Sequence, residues 1–410
     1  MRIVVLSQWF PPEKAALPAD VAHAAAARGH DVTVLTGFPN YPTGQIYNGY
    51  QQRARLDAEI DGLHVRRVAL YPSHDRNAGK RVANYLSFAA TSTAFGWRIL
   101  RSADAVYVYH PPLTASLGPW LARSLRGAPY VLHVQDLWPE SVLESGLLSG
   151  RAVGAVGRLL TRACNAAYRR AAVVIGIAPT MAELLRERGV PADRLAVVPN
   201  WADEEIFYPV PRDEALADEL GFTDCFCVMF AGNMGDLQGL DVAVRAAAAV
   251  RDLSDFRLTL VGDGLARPGL EALARELEAD NVMFLPSQPL ARMRDVTSTA
   301  DVQLVCLRDL PFLRGTIPSK LGTVLATGLP VLCSAGGDAP QLVVDAGAGW
   351  TCRPDDAASM EQAFRQAHSS SLAERTAMAA AGRRYYQTHL SRAAGTEQII
   401  DALERAAGTA

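Results

Sequence analysis

The chain has 410 residues, a formal net charge of −3 and 49% hydrophobic residues, enough for two domains that each bury a core. The near-balance of charge gives no global basic field, so nucleic acid is not expected as a partner. Six cysteines (Cys164, Cys225, Cys227, Cys306, Cys333, Cys352) lie mostly among apolar neighbours; without the spacing of a zinc site they read as reduced core residues of a cytoplasmic protein.

In chain order, Ile3-Val4-Val5-Leu6 reads as a strand, and the start of the chain reads as part of the fold and not as a secretory leader. A loop, the Ala-rich segment 19–27 and Arg28-Gly29-His30 lead to a second strand, Val32-Thr33-Val34-Leu35, completing a βαβ unit. The uncharged stretch from Val82 to Trp97 contains Asn84, Ser87, Thr91, Ser92 and Thr93 and is too short and polar to span a bilayer. Further apolar runs at 105–109, 130–134, 173–177 and 195–199 alternate with Ala-rich helical segments, which predicts a parallel sheet covered on both faces. Between the runs at 130–134 and 173–177 the spacing places Arg151, Arg158, Arg162 and Arg169 within about 40° of one another on a helix, opposite Val153, Val156, Leu160, Cys164 and Ala167. Such a stripe is either a solvated face or one that meets anionic lipid headgroups.

Periodicity is lost over 200–209, where a linker is expected, and the alternation restarts with strands at 227–231, 257–261, 282–285, 302–306 and 331–333. A second doubly wound α/β domain follows from this. Ligands bind outside the carboxyl ends of such strands, where the glycine-rich loops Gly232-Asn233-Met234-Gly235, Gly262-Asp263-Gly264 and Gly336-Gly337-Asp338 fall. In the stretch from Arg314 to Val331, Pro318 and Ser319 mark a helix start, Leu321, Val324 and Leu325 recur at helical spacing, and Gly328 marks its stop. Unpaired N–H groups and Lys320 in the first turn predict an anion site, with phosphate the expected ligand.

These residues resemble a known family, the retaining GT-B glycosyltransferases of family 4, over nearly the whole chain. The segments Phe10-Pro11-Pro12-Glu13, Arg28 to Thr36, Asn200-Trp201, Leu260 to Gly264, Ala300-Asp301-Val302 and Gly328-Leu329-Pro330-Val331 stand in the family's order. Gly37-Phe38-Pro39-Asn40-Tyr41-Pro42-Thr43-Gly44, His133 to Glu140 and Thr316 to Lys320 narrow the likeness to the branch resembling colanic-acid and O-antigen transferases. The resemblance implies two Rossmann-like domains with an interdomain cleft: an acceptor-side domain over 1–205, completed by a C-terminal helix at about 386–410, and a nucleotide-sugar domain over 206–385. It implies a donor nucleotide sugar, a sugar or lipid-linked sugar acceptor, and no metal or other cofactor, in a cytoplasmic enzyme that can sit peripherally on the inner face of an anionic plasma membrane.

Under this resemblance His133, Asp136 and Lys320 are the expected catalytic groups, His133 and Asp136 beside the transferred sugar and Lys320 on the leaving diphosphate. Donor contacts are expected from Gly232, Asn233, Gly235, Gln238, Arg314, Pro318, Ser319, Lys320, Thr323 and Asp338, with Leu285 to Gln288 near the base. Three departures stand out: Gly315 and Thr323 replace a family glutamate pair, Asn233 and Gln238 replace an arginine and a lysine, and Lys14-Ala15-Ala16 replaces a glycine pair. The rival readings are a nucleotide-sugar epimerase and a non-catalytic nucleotide-sugar-binding protein.

Overall fold

The computed structural model describes residues 1–74, 77–125, 127–138 and 153–408, and its contacts divide the chain into two compact units, Met1–Pro199 with Gly395–Ala410, and Asn200–Ala394.

The first unit is an eight-stranded sheet in the order β3-β4-β2-β1-β5-β6-β7-β8: β1 Arg2–Leu6, β2 Asp31–Gly37, β3 Arg55–Ile60, β4 Leu63–Val68, β5 Ala105–His110, β6 Tyr130–Val134, β7 Val173–Gly176 and β8 Leu195–Val197. Helices α1 (Ala16–Ala27), α2 (Ala78–Ser102), α3 (Leu117–Ser124), α4 (Val153–Arg170) and α5 (Pro179–Glu187) belong to it. The central strands are short apolar runs because both their faces are buried, as in β6, where every residue is covered. The edge departs from the expected all-parallel sheet. β3 pairs antiparallel with β4, its burial alternates along Arg55-Leu-Asp-Ala-Glu-Ile60, and Asp61 and Gly62 turn the hairpin with φ of 49° and 77°. Asp-Gly between alternating residues is the local signal for this turn.

The second unit is a wholly parallel six-stranded sheet in the order β11-β10-β9-β12-β13-β14: β9 Phe226–Ala231, β10 Phe256–Val261, β11 Val282–Leu285, β12 Val302–Cys306, β13 Val331–Ser334 and β14 Gly349–Cys352. Its helices are α6 (Glu214–Glu219), α7 (Leu240–Ala249), α8 (Arg267–Glu276), α9 (Leu290–Ser298), α10 (Ser319–Thr327), α11 (Asp338–Ala346), α12 (Ala357–Ser369) and α13 (Leu372–Tyr385). One core packs Phe226, Phe230, Phe256 and Phe364 under α7 and α12, and another packs Leu321, Leu325, Val331 and Tyr386. All six cysteines are free thiols, Cys225 half-buried and the rest buried.

The chain changes unit at Pro199/Asn200, ahead of the expected 205/206. Tyr386 explains the shift: its hydroxyl accepts from the Ala202 N–H (3.1 Å) and donates to Glu204 (3.0 Å), so the segment after Asn200 is already tied to the second core. The return comes later than residue 386 for the same reason, since Tyr386 and Leu390 are buried in that core. Helix α14 (Arg392–Gly408) carries the chain back, and within the first unit its Asp401 and Glu404 pair with Arg28 at 2.7 and 3.1 Å.

Candidate functional site

In the second unit the strand order reverses between β9 and β12, which opens a crevice at their carboxyl ends. The loop after β9 runs back to back with the loop after β10: Gly232 N–H donates to Val261 O and Met234 N–H to Asp263 O, each at 2.8 Å. Glycine is needed at the contact, because a Cβ on Gly262 would stand 2.0 Å from Gly232 O and both residues have φ near +140°.

Lys320 lies in the first turn of α10, whose start at Pro318 has no side-chain cap, so no side chain competes for the N–H groups at Ser319 and Lys320. The Lys320 stem runs inward until Nζ rests 3.2 Å from the centre of the Phe230 ring. A Cβ on Gly232 would come within 2.7 Å of Nζ, so the glycine leaves the ammonium its room. Nζ is buried without a hydrogen-bond partner, and desolvation lowers its pKa to about 8.

The other cations of this edge are already matched. Arg314, an expected donor contact, forms a two-pronged pair with Asp309 at 2.8 Å. Arg308 binds Asp355 at 2.8 Å and Asp241 at 2.6 Å. The Gln238 side-chain oxygen accepts the Gly235 N–H at 3.0 Å, which closes this turn. Thr323 donates to Ser319 O within its helix, and the Asp338 N–H donates to Arg314 O as α11 begins. Beyond β9, β10 and β11 lies a hollow of about 690 Å³ lined by Gly232, Asn233, Asp263, Leu265, Ser287 and Met293. Arg267 stiffens its floor by donating to Gly262 O (2.6 Å) and Leu285 O (3.0 Å). Asn233 and Gln288, expected near a nucleotide, both border this hollow.

The first unit reverses its strand order between β1 and β5. His133, on β6, is fully buried; Nδ1 lies 2.7 Å from the Tyr107 hydroxyl and Nε2 3.1 Å from the Gln135 amide nitrogen. Desolvation lowers its pKa to about 4, so it is a neutral imidazole at neutral pH. Both ring nitrogens of His133, expected beside the transferred sugar, have partners within the first unit. Asp136, three residues on and just past the end of β6, is exposed, with enough protein around it that desolvation raises its carboxyl pKa. Glu140 and Arg151 lie outside the described residues.

Three features escaped sequence reading. His110, closing β5, is fully buried with neither ring nitrogen bonded, its pKa lowered to about 3, and its ring set edge-on to Trp138 at 5.6 Å. Gln8, after β1, is also buried and bonds Asn84 at 2.7 Å. Glu13 accepts N–H bonds from Phe10 (3.3 Å), Asn40 and Tyr41 (both 2.8 Å), while buried Arg67 donates to Pro11 O and Gly37 O. The Phe10 to Glu13 and Gly37 to Gly44 segments are therefore one braced pair of loops, carrying Trp9 and Tyr41 5.6 Å apart.

Two doubly wound sheets are the architecture of the GT-B glycosyltransferases, and Lys320 lies at the switch point of the second. A glycosyl transferase 4-like domain matches residues 17–201 and a glycosyl transferases group 1 domain matches residues 226–370; the chain belongs to this glycosyltransferase family. It is 28% identical over 339 residues to WcaI of Escherichia coli K12, named for colanic acid biosynthesis, covering 80% of this chain and 82% of that one. It is also 28% identical over 250 residues to the glycosyltransferase WbjE of Pseudomonas aeruginosa, about three fifths of either chain. Among solved structures, Anabaena HepE in complex with UDP superposes with a TM-score of 0.71 at 17% identity over 99% of this chain and 100% of that one. Sucrose-phosphate synthase of Thermosynechococcus elongatus superposes with 0.69 at 18% identity over the full length of both.

Proposed function

We propose that this glycosyltransferase moves a sugar, with retention, from a nucleotide-sugar donor to a precursor of a bacterial surface polysaccharide. The observation that carries the reading is Lys320: an ammonium held at the switch point without a counter-ion, beside an uncapped helix start, is complementary to a diphosphate. The nucleoside occupies the hollow beyond β9 to β11, with Asn233 and Ser287 on its rim. As the sugar–phosphate bond breaks, negative charge grows on the diphosphate, and Lys320 with the α10 N–H groups stabilises it without recourse to a metal ion. UDP is the first nucleotide to test, because HepE was solved with it.

The acceptor is a sugar or lipid-linked sugar met by the first unit, with Asp136 the carboxylate available to a hydroxyl and His133 holding the wall behind it. Contact with a lipid-linked acceptor is proposed as peripheral, on the cytoplasmic face of an anionic membrane; among the described residues no helix is long and apolar enough to cross one. The test is a panel of nucleotide sugars in thermal shift, where ligand at a hundredfold over its Kd adds about 2.7 kcal/mol, followed by transfer assays with saccharide acceptors. A shift with UDP-sugars, and its loss in Lys320→Ala, is expected; no shift with any nucleotide sugar, or one indifferent to Lys320→Ala, overturns the assignment. Binding without transfer selects the non-catalytic reading, and sugar interconversion without acceptor selects the epimerase.

A further inference from the structure

Strands β4, β2 and β1 lie side by side and parallel, so the loops that follow them share one corner of the carboxyl edge of the first sheet. Each loop puts a ring there. Trp9 follows β1, Tyr41 follows β2 and His74 follows β4; the Trp9 and Tyr41 rings stand 5.6 Å apart at 53°, and His74 meets Tyr41 edge-on at 4.9 Å. Trp9 and Tyr41 are half-buried and His74 is exposed. The backbone beneath them is held on every side. The Tyr41 N–H donates to Glu13 at 2.8 Å and Tyr41 O accepts from the Tyr47 hydroxyl. The Ser7 hydroxyl takes the Trp9 N–H and donates to Trp9 O, and Gly44, with φ of 71°, packs so closely that a Cβ there would collide with the His74 backbone nitrogen. Rings fixed in this way and left open to water are surface made ready for a ligand, because their ordering is complete before it arrives.

A polar group stands beside them. Gln8, the residue before Trp9, is fully buried; its Nε2 donates to Asn84 at 2.7 Å, and the Asn84 amide donates in turn to Tyr71 O at 2.7 Å. That chain fixes the orientation of the Gln8 amide and leaves its Oε1 buried without a donor, a cost that an arriving hydroxyl removes. A pyranose ring meets both demands: its axial C–H groups form a face that packs on an aromatic ring and is drawn to the ring's negative face, and its hydroxyls donate at the rim. We propose that Trp9, Tyr41 and His74 form a subsite for a hexopyranoside, the terminal sugar of the acceptor, which stacks one C–H face on the aromatic pair and donates a hydroxyl to Gln8 Oε1. This deepens the acceptor reading above, on which the assignment of the sugar to the acceptor rests.

The full chain, with UDP added, is tested by saturation-transfer NMR against methyl β-glucopyranoside, methyl β-galactopyranoside, methyl α-mannopyranoside and methyl N-acetyl-β-glucosaminide, with xylitol as an open-chain polyol. Expected is transfer to at least one glycoside, concentrated on the hydrogens of one ring face, and none to xylitol. Trp9→Ala and Tyr41→Ala should each raise the Kd of that glycoside by at least about tenfold. Tyr41→Phe, which keeps the ring, should bind as the parent does, and Gln8→Met should bind more weakly with the same face saturated. An unchanged melting temperature shows that the variants fold. Transfer to no glycoside, transfer spread evenly over both faces, or binding that survives Trp9→Ala combined with Tyr41→Ala each overturns the proposal. The UDP thermal shift reads the donor site separately: glycoside binding without that shift upholds the sugar subsite and sinks the transferase reading alone, and a UDP shift without glycoside binding sinks the subsite alone.

Discussion

At the scale of the residue, Lys320 shows a functional group held at a cost to the fold. Its displacement from 10.5 to about 8 corresponds to up to about 3 kcal/mol set against the ammonium while no anion is present. Lys320→Met keeps the stem over Phe230 and removes the charge, so it should raise the melting temperature of the ligand-free protein while lowering transfer by about 2–4 kcal/mol of transition-state stabilisation. A calorimetric scan and kcat/KM together check both signs; a destabilised Met variant would mean that the ammonium supports the fold. The pH dependence follows. Free Lys320 loses its proton near pH 8, so donor affinity should be level below that value and fall above it, and titration calorimetry with UDP at pH 7 and pH 9 would show the difference.

At the scale of the element, the braced loops of the first unit and the glycine turn of the second make opposite demands on their sequences. Glu13 takes three backbone N–H groups from two loops far apart in the chain, close to the Arg67 guanidinium, whose charge acts on it. Glu13→Ala strands those donors and leaves Arg67 buried without its neighbouring charge. A loss of about 3–5 kcal/mol in urea unfolding is expected, larger than the same change at the exposed Glu59. In the second unit Gly232→Ala would press a methyl to 2.7 Å from Lys320 Nζ; the side chain must swing away, and UDP affinity should fall by at least about tenfold with the fold retained.

At the scale of the molecule, the titratable strain is unevenly placed. Unfolded histidines take up a proton near pH 6.5, whereas burial delays His133 to about 4 and His110 to about 3. Across that interval the unfolded chain binds more protons than the folded one, so stability falls as the pH drops through it. Both residues lie in the first unit, which should therefore open before the second on acidification from pH 7 to pH 4. Hydrogen exchange read by peptide would locate the opening in β5 and β6 and not in β9 and β12. Simultaneous loss of protection in both units would refute this, and His133→Asn should flatten the pH dependence.

The alternation of apolar runs with helical segments determined two doubly wound sheets, because strand and helix periods are local properties of the chain. The Pro318 to Gly328 pattern likewise located α10 and put Lys320 in its first turn, since a helix start and an αL stop are written in neighbouring residues. The hairpin at the edge is equally local, written in Asp61-Gly62 after a strand of alternating burial. What tertiary structure alone decided is which polar groups remain free. Arg314 pairs with Asp309, Arg308 with Asp241 and Asp355, and His133 with Tyr107, while the Lys320 ammonium rests on the Phe230 ring without a hydrogen-bond partner. Burial and counter-charge are collective quantities, supplied by residues up to scores of positions away, and no spacing along the chain encodes them.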